Sequence, residues 1–181
     1  MSFENEPFKL RILMTLTDAL KTITPANGYL HDLADYDPGD GTPMQRVFRG
    51  REWFGENDPI PMISVLEATS GEDELVALPT KAAARYEWPI LIQGFVNDDP
   101  QHPTDPAYRL MRDVRKCLAA EATRRLPGTV NTPDPLGMSL GADRVETMTM
   151  SAGVVRPAGD LSAKAYFWMI VNLTLMEHAG A

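Results

Sequence analysis

Two segments of the chain place hydrophobic residues three and four positions apart, which is the spacing of an amphipathic helix. The first runs from Pro7 to Ile23; Pro7 suits the first position of a helix, and Thr24-Pro25 ends the run. The second runs from about Pro106 to Arg125 and stops at Pro127-Gly128. Its apolar positions are Leu110, Met111, Val114, Cys117, Leu118 and Ala122. The sequence therefore predicts two main helices, each with one apolar face.

Six further segments are rich in β-branched, aromatic or alternating apolar residues, as strands are. They are Tyr29 to Leu33, Gln45 to Arg51, Met62 to Ala68, Arg85 to Val96, Arg144 to Val155 and Ala163 to Met176. We expect the first two to form an antiparallel pair, joined by a polar connection. Pro89 predicts a bulge or an edge position in the fourth segment, because proline lacks the N–H that a sheet ladder needs. This order predicts an α+β fold, with a mostly antiparallel or mixed sheet flanked by the two main helices.

Length and composition favour a single domain that covers residues 1–181. Hydrophobic residues make up 44% of the 181 and charged residues 23%, which is ordinary for a folded globular protein. The lone cysteine, Cys117, allows no intrachain disulfide and no metal site built from several cysteines, and it fits a reducing compartment. The start, Met-Ser-Phe-Glu-Asn-Glu, is acidic, and no apolar run reaches the ~18 residues that a membrane-spanning helix needs. We expect a cytoplasmic protein with no membrane contact.

The charge balance is acidic, with 17 Lys and Arg against 25 Asp and Glu and a formal net charge of -8. Such a surface repels a phosphate backbone, so a dedicated nucleic-acid-binding function is not expected. Two interpretations of the acidity stay open. Most acidic domains are acidic for solubility, and an acidic wall also suits a channel through which DNA slides without sticking.

No arrangement of reactive side chains predicts catalysis. The three histidines, His31, His102 and His178, do not lie at metal-ligand spacing from one another. Cys117 falls on the apolar face of the second helix, where a thiol behaves as a small hydrophobe. The stretch from Asp35 to Gly41 lacks the ligand spacing of a calcium loop, and turn formation explains it better. We therefore expect no catalytic residue, no cofactor and no bound metal, and we interpret the chain as a non-enzymatic protein.

Three arginines in the second predicted strand, Arg46, Arg49 and Arg51, are the first candidates for a binding surface. Alternate residues of a strand share a face, so Arg49 and Arg51 are expected to project together. They either lie on a solvated sheet face, pair with carboxylates of the same subunit, or meet carboxylates of a neighbouring subunit, such as Asp37 and Asp40. Arginine is favoured at such contacts because its planar guanidinium pairs with a carboxylate through two hydrogen bonds.

Two hydrophobic features point to a surface that is covered by something. Trp53 and Phe54 follow the second predicted strand and are either core anchors or exposed aromatics of a subunit contact. The last predicted strand, Ala163 to Met176, is apolar on both faces. Either two layers of this subunit cover that strand, or an adjacent subunit covers one face of it.

The order of these elements resembles a known family. The two strand-like runs lie in Arg46-Val-Phe-Arg-Gly-Arg-Glu-Trp-Phe-Gly55 and in the following stretch, which ends Met-Ile-Ser-Val-Leu-Glu67. Together with the helix before them and the segment Asn27-Gly-Tyr-Leu-His-Asp-Leu33, they resemble the tail terminator proteins of long-tailed bacteriophages. The resemblance covers roughly the first half of the chain and the general order of the rest, and it places no catalytic residue.

The resemblance implies a virion structural protein that forms a homo-hexameric ring at the head-proximal end of the tail tube. Such a ring ends polymerisation of the tube and offers a surface for head joining. The implied partners are other copies of this chain, the tail tube protein and the head-tail connector protein, with DNA passing through the lumen without specific binding. The implied location is the siphophage virion tail, after assembly in the host cytoplasm.

Two alternatives stay open at this point. A head-completion or connector ring protein is also small, acidic and oligomeric. A small hydrolase or metal-binding enzyme is a rival from a different class, and it would use His31 or His102 with nearby aspartates.

Overall fold

The computed structural model describes residues 5–52, 54–55, 58–68, 83–159 and 164–178. The helices are α1 (Phe8–Lys21) and α2 (Asp105–Ala122), and short 3-10 turns lie at Pro25–Asn27 and Pro135–Gly137. The strands are β1 (Val47–Arg49), β2 (Met62–Glu67), β3 (Ala83–Val96), β4 (Arg144–Met150), β5 (Val154–Arg156) and β6 (Ala165–His178). Both helices end slightly earlier than predicted. After α2 the chain turns back, and Arg125 forms a bridge with Pro133.

The strands form one mixed sheet in the order β1-β2-β3-β6-β4, with β5 also paired to β6. β1 runs parallel to β2, and every other pairing is antiparallel. β3 and β6 pair along their whole length, from Ala83 opposite His178 to Val96 opposite Ala165. Because β3 fills one side of β6 completely, β4 and β5 lie one after the other along its second side. The long β3–β6 pair is therefore the centre of the sheet.

Both helices pack on one face of this sheet. Alternate residues of the strands point into the core, because successive side chains of a strand project to opposite faces. The core-facing residues of the central strands include Ile90, Ile92, Phe167, Met169, Val171 and Leu173, and they meet Ile12, Leu16, Leu20, Leu110, Val114 and Leu118 of the helices. The predicted α+β fold, with a mixed sheet flanked by two main helices, is confirmed.

The prediction of a strand at Tyr29 to Leu33 is wrong. The backbone N–H groups of Leu30 and His31 donate to the side chain of Asp113 on α2, and the N–H of Leu33 donates to the carbonyl of Ile23. These donors are therefore not available to a sheet ladder. The predicted antiparallel partner, β1, instead pairs in parallel with β2.

Pro89 was predicted to mark a bulge or an edge position, and the structure shows the second. The β3–β6 register runs through Pro89 without a shift, so there is no bulge. The pairing of β2 with β3 ends at Ile90, so in the described part of the sheet Pro89 lies just beyond it, and its carbonyl accepts the N–H of Ala68, the residue after β2. One other strand prediction needs correction. The strand predicted from Arg144 to Val155 is interrupted at 151–153, where Gly153 adopts a φ of 80° that other residues disfavour. In the part of the chain that the structure describes, no helix has both the length and the apolar character needed to cross a membrane.

Candidate subunit interface

The sheet face opposite the helices carries a patch of apolar side chains, which we call the helix-free face. Its apolar part comprises Phe48, Leu66, Leu91, Phe95, Tyr166, Trp168 and Ile170, with Gln93 among them. Leu91 lies opposite Ile170 and Gln93 opposite Trp168 in the β3–β6 register, so the patch is continuous across the two central strands. The Trp168 residue is 38% exposed. Shallow depressions on this patch are lined by Leu91, Gln93, Trp168 and Ile170.

The far end of the same face is polar, and two of its carboxylates accept hydrogen bonds from side chains of the same chain. Arg85 donates to Glu146 at 2.7 Å, and the hydroxyl of Thr174 donates to Glu87 at 2.8 Å. The hydrogen bond from Arg85 lowers the pKa of Glu146, with a further hydrogen bond from Arg144. The helix-free face is therefore divided into a polar end and an apolar end.

An aromatic row borders the apolar end. The ring of Phe54 lies 4.5 Å from that of Phe95, and Phe95 lies 5.9 Å from Tyr166, measured between centroids. The Arg51 guanidinium stacks over Phe48 at 4.4 Å and over Phe54 at 5.4 Å. Because Phe54 contacts Phe95, it packs on the helix-free face and not in the main core, and it is half-buried there. Trp53, the other aromatic candidate, lies outside the described residues.

The three candidate arginines have different environments. Arg46 stacks over the Tyr36 ring at 4.2 Å and donates to the Pro61 carbonyl at 3.4 Å. Arg51 forms an ion pair with Asp58 at 2.6 Å, so pairing within the subunit applies to this residue. Arg49 is exposed at the end of β1.

The expectation that Arg49 and Arg51 project from one strand face is wrong. β1 ends at Arg49, and the next residue, Gly50, has a φ of 67°. This left-handed residue breaks the alternation of side chains that a continued strand would impose. Arg51 instead folds over the ring of Phe48.

The carboxylates of Asp37 and Asp40 shape their own loop. Asp37 accepts the N–H groups of Gly39 at 2.7 Å and Gly41 at 3.1 Å, and Asp40 accepts that of Thr42 at 2.8 Å. These bonds are those of Asx turns, as the sequence indicated. Among the described residues, no cation lies within ion-pair distance of either carboxylate. Both aspartates are exposed.

A buried carboxylate on α2 joins the helix to the segment after α1. Asp113 Oδ2 accepts the backbone N–H groups of Leu30 and His31 and lies 2.8 Å from His31 Nδ1, while its Oδ1 accepts two bonds from Arg112. Burial opposes ionisation of Asp113, but the hydrogen bonds from Arg112, His31 and the backbone outweigh it and lower the pKa. The sequence of α2 contained a signal for Asp113, because this charged residue stands among the inward-facing positions of an amphipathic helix.

The His31–Asp113 pair is the arrangement nearest to the rival enzymatic hypothesis. No hydroxyl or thiol of a described residue hydrogen-bonds to His31, so the geometry of a nucleophile with its base is not present there. Cys117, one turn along α2, is buried beside the Ala19 carbonyl, and burial raises its pKa to about 11. Such a thiol stays protonated near neutral pH and is a poor nucleophile. Within the described ranges, no three His, Cys, Asp or Glu side chains are grouped to hold a metal ion.

One surface was missed by the sequence reasoning. Arg109, Arg112, Arg115 and Lys116 are exposed on the outer side of α2, at the three- and four-residue spacing that places side chains next to one another. We call these four residues the α2 ridge. Tyr108, which is 55% exposed, lies at its first turn. The spacing was visible in the sequence, but most polar helix faces are merely solvated.

No protein-family model matches the chain, and no curated protein sequence matches it.

Proposed function

We propose that this protein is a non-enzymatic ring subunit of a long-tailed phage virion, similar to the tail terminators. In this proposal it binds the head-proximal end of the tail tube, ends tube polymerisation and provides the surface for the head-tail connector. The observation that carries the proposal is the apolar end of the helix-free face. A sheet covered by helices on one side, with Trp168, Ile170 and Leu91 on the other, has a hydrophobic surface that suits burial against a partner.

The sheet also has the separate surfaces that a closed ring needs. In a ring, each subunit contacts the next through two different patches, one on each side. β1 and the β4–β5 pair are the outer strands on opposite sides of the sheet. Outer strands offer backbone groups for pairing with another chain. The helix-free face and these edges supply distinct patches for neighbouring copies and for the tube.

The acidic composition fits the position of such a ring. With a net charge of -8, the subunit repels phosphate on average, and DNA in the lumen would pass without being held by counterion-releasing contacts. The head-tail connector and the tail tube protein are the proposed partners besides other copies of the chain. Assembly takes place in the host cytoplasm and the product remains in the virion tail.

Replacing Trp168 with alanine is expected to reduce binding to the ends of tail tubes by about thirtyfold, because a buried aromatic anchor contributes about 2 kcal/mol or more to an interface. The free monomer should stay folded, since Trp168 is partly exposed and lies outside the helix-packed core. Binding is measured by co-sedimentation with tubes assembled without this protein.

The matched control is Asn172→Ala. Asn172 is an exposed residue four positions further along β6, on the same face but at the polar end. This variant should bind tubes like the wild type. If Trp168→Ala also binds like the wild type, the helix-free face is not an assembly surface and the proposal loses its main support.

A further inference from the structure

A short hairpin follows the end of α2. The N–H of Leu126 donates to the carbonyl of Thr132 at 3.0 Å, and the N–H of Thr129 donates to the carbonyl of Leu126 at 3.1 Å. Proline and glycine fill the two central positions of the turn, and Gly128 has the positive φ, 80°, that a type II turn needs there. We call residues 126–132 the hairpin. These hydrogen bonds give it a defined shape.

The hairpin presents an apolar side chain to solvent. Val130 is 88% exposed, more than any other large hydrophobic residue that the structure describes. A single exposed hydrophobic residue is ordinary on a protein surface. This one is held on a shaped turn, and residues 127–133 are all exposed, so Val130 can enter a recess on another molecule.

The hairpin is anchored on the helix-covered face of the sheet, beside β4. Leu136, four residues after the hairpin, is buried in the core between the helices and the sheet. The N–H of Val145 in β4 donates to the carbonyl of Met138 at 2.8 Å, so the chain that follows the hairpin lies against this outer strand. The hairpin therefore belongs to the β4 side of the subunit.

A groove lies on the opposite face of the sheet, toward β1, the outer strand of the other side. It is a depression of about 550 Å³, which is room for the tip of a turn rather than for one side chain. We call it the β2 groove, and its lining residues are Gly50, Glu52, Leu66, Glu67, Leu91 and Gln93. Leu66 and Leu91 lie opposite each other in the β2–β3 register and supply its apolar part.

The rim of the β2 groove and the base of the hairpin carry opposite charges. Glu52 and Glu67 are exposed, and neither forms an ion pair with a described residue. Arg125 is exposed beside the hairpin, and its guanidinium donates to the carbonyl of Arg124 at 3.5 Å, which is a neutral acceptor. The Arg125 charge is therefore available to a carboxylate on the rim of another copy's groove.

We propose that the hairpin of one copy inserts Val130 into the β2 groove of the next copy. This inference rests on the proposed ring function and names one of its lateral contacts. The two surfaces lie on opposite faces of the sheet and beside opposite outer strands, so they are placed to meet between copies. A contact between two different surfaces of identical subunits is head-to-tail, which is the geometry that closes a ring.

The attraction in this contact comes mainly from apolar burial. Each copy has a net charge of -8, which opposes association of copies in general. Burial of Val130 against Leu66 and Leu91 removes apolar surface from water, and the pairing of Arg125 with the acidic rim fixes the orientation. Tail tubes favour the contact further, because copies held at one tube end meet at a high effective concentration.

The experiment is disulfide trapping between two variants of the full chain, Val130→Cys and Leu66→Cys. A disulfide forms only where two Cα atoms come within about 7 Å of each other. The variants are mixed in a glutathione redox buffer, both free and on tail tubes, and we expect linked pairs that contain one of each. Wild-type protein is the control for Cys117, which is buried and has its pKa raised by burial to about 11, so it should not react.

Two further chains test the position and the direction of the contact. Asn172→Cys lies on the same sheet face as the β2 groove but outside it, and it should not link to Val130→Cys. A chain with both Val130→Cys and Leu66→Cys should form a ladder of linked copies on tubes. A head-to-tail contact continues from copy to copy, whereas a two-fold contact stops at the dimer.

A substitution without cysteine gives an independent measurement. Val130→Asp puts a carboxylate against the apolar and acidic lining of the β2 groove, and it should weaken ring formation on tube ends by about tenfold or more. Val130→Ile keeps the apolar side chain and should assemble like the wild type. Both variants should stay folded because Val130 is exposed in the free chain. Co-sedimentation with tail tubes measures the difference.

Several outcomes would overturn this inference. They are the absence of a mixed disulfide both in solution and on tubes, trapping of Asn172→Cys as efficient as that of Leu66→Cys, and a ladder that stops at the dimer. Loss of tube binding by Val130→Asp without any mixed disulfide would assign the hairpin to the tube protein instead. A mixed disulfide in a chain without affinity for tail tubes would leave this contact standing and remove the proposed tail function.

Discussion

Replacing Asp113 with alanine is expected to lower the free energy of unfolding by about 3 kcal/mol, because a buried donor left without its acceptor costs about 1 to 3 kcal/mol. The Asp113 side chain is almost fully buried and accepts hydrogen bonds from two backbone N–H groups, from Arg112 and from His31. Alanine leaves these donors without their acceptor in a buried place. Urea denaturation followed by circular dichroism measures the change.

The control for Asp113→Ala is Asp105→Ala on the same helix. Asp105 is exposed and pairs with Arg109 at 3.3 Å, so its loss should change the free energy of unfolding by less than about 1 kcal/mol. Equal effects of the two substitutions would show that Asp113 does not hold α2 to the segment after α1.

The stabilisation of the fold by ionised Asp113 should depend on pH. The folded-state pKa of Asp113 is lowered, so its stabilisation is present above the unfolded-state pKa, about 3.9, and is lost as the pH falls through the folded value. The stability difference between the wild type and Asp113→Asn should therefore be constant near neutral pH and shrink in acid below about pH 4. A difference that grew as the pH fell would contradict a lowered pKa.

Replacing Gly94 with alanine is expected to destabilise the fold by about 3 kcal/mol, at the upper end of the usual cost of overpacking a core. Gly94 lies on the core face of β3, and a Cβ added there would be 2.1 Å from Cε1 of Phe167 and 2.9 Å from Cδ1 of Ile63. Phe167 is fully buried between the central strands and the helices, so its ring has little room to move. Thermal denaturation measures the loss.

Two further variants test the cause of the Gly94 effect. Gly159→Ala should be nearly neutral, because among the described residues, apart from its chain neighbours, no atom lies within 4 Å of a Cβ at that position. Phe167→Leu should be less harmful in the Gly94→Ala background than in the wild type, since the smaller side chain gives space to the new methyl group. Additive losses in the double variant would mean that the clash with the Phe167 ring is not the cause.

The sequence was sufficient for the parts of the fold that depend on local periodicity. Segments with clear alternation, such as Met62–Glu67 and Ala83–Val96, are strands close to their predicted bounds. The failure at Tyr29 to Leu33 has a non-local cause, because the donors of that segment bind a carboxylate on α2 about 80 positions away. Periodicity contains no information about such a partner.

The candidate interface was predicted in part. The apolar character of both faces of β6 indicated a covered surface, and the structure places Tyr166, Trp168 and Ile170 on the face without helices. The prediction that Arg49 and Arg51 share a strand face was wrong, because Gly50 between them has a positive φ that ends the strand. The α2 ridge lies on the polar face of a helix whose apolar face the sequence predicted correctly, but the pattern alone does not distinguish a binding surface from a solvated helix face.

Native mass spectrometry of tube-bound protein, with electron microscopy of the same sample, directly tests the proposal that this chain forms a ring on the end of a tail tube. We expect a homo-hexameric ring at one end of each tube, even if the isolated chain is monomeric, because interfaces of this kind are often completed on assembly. A different subunit number would contradict the hexamer. Binding along the sides of tubes, or no binding at all, would contradict the proposed function itself.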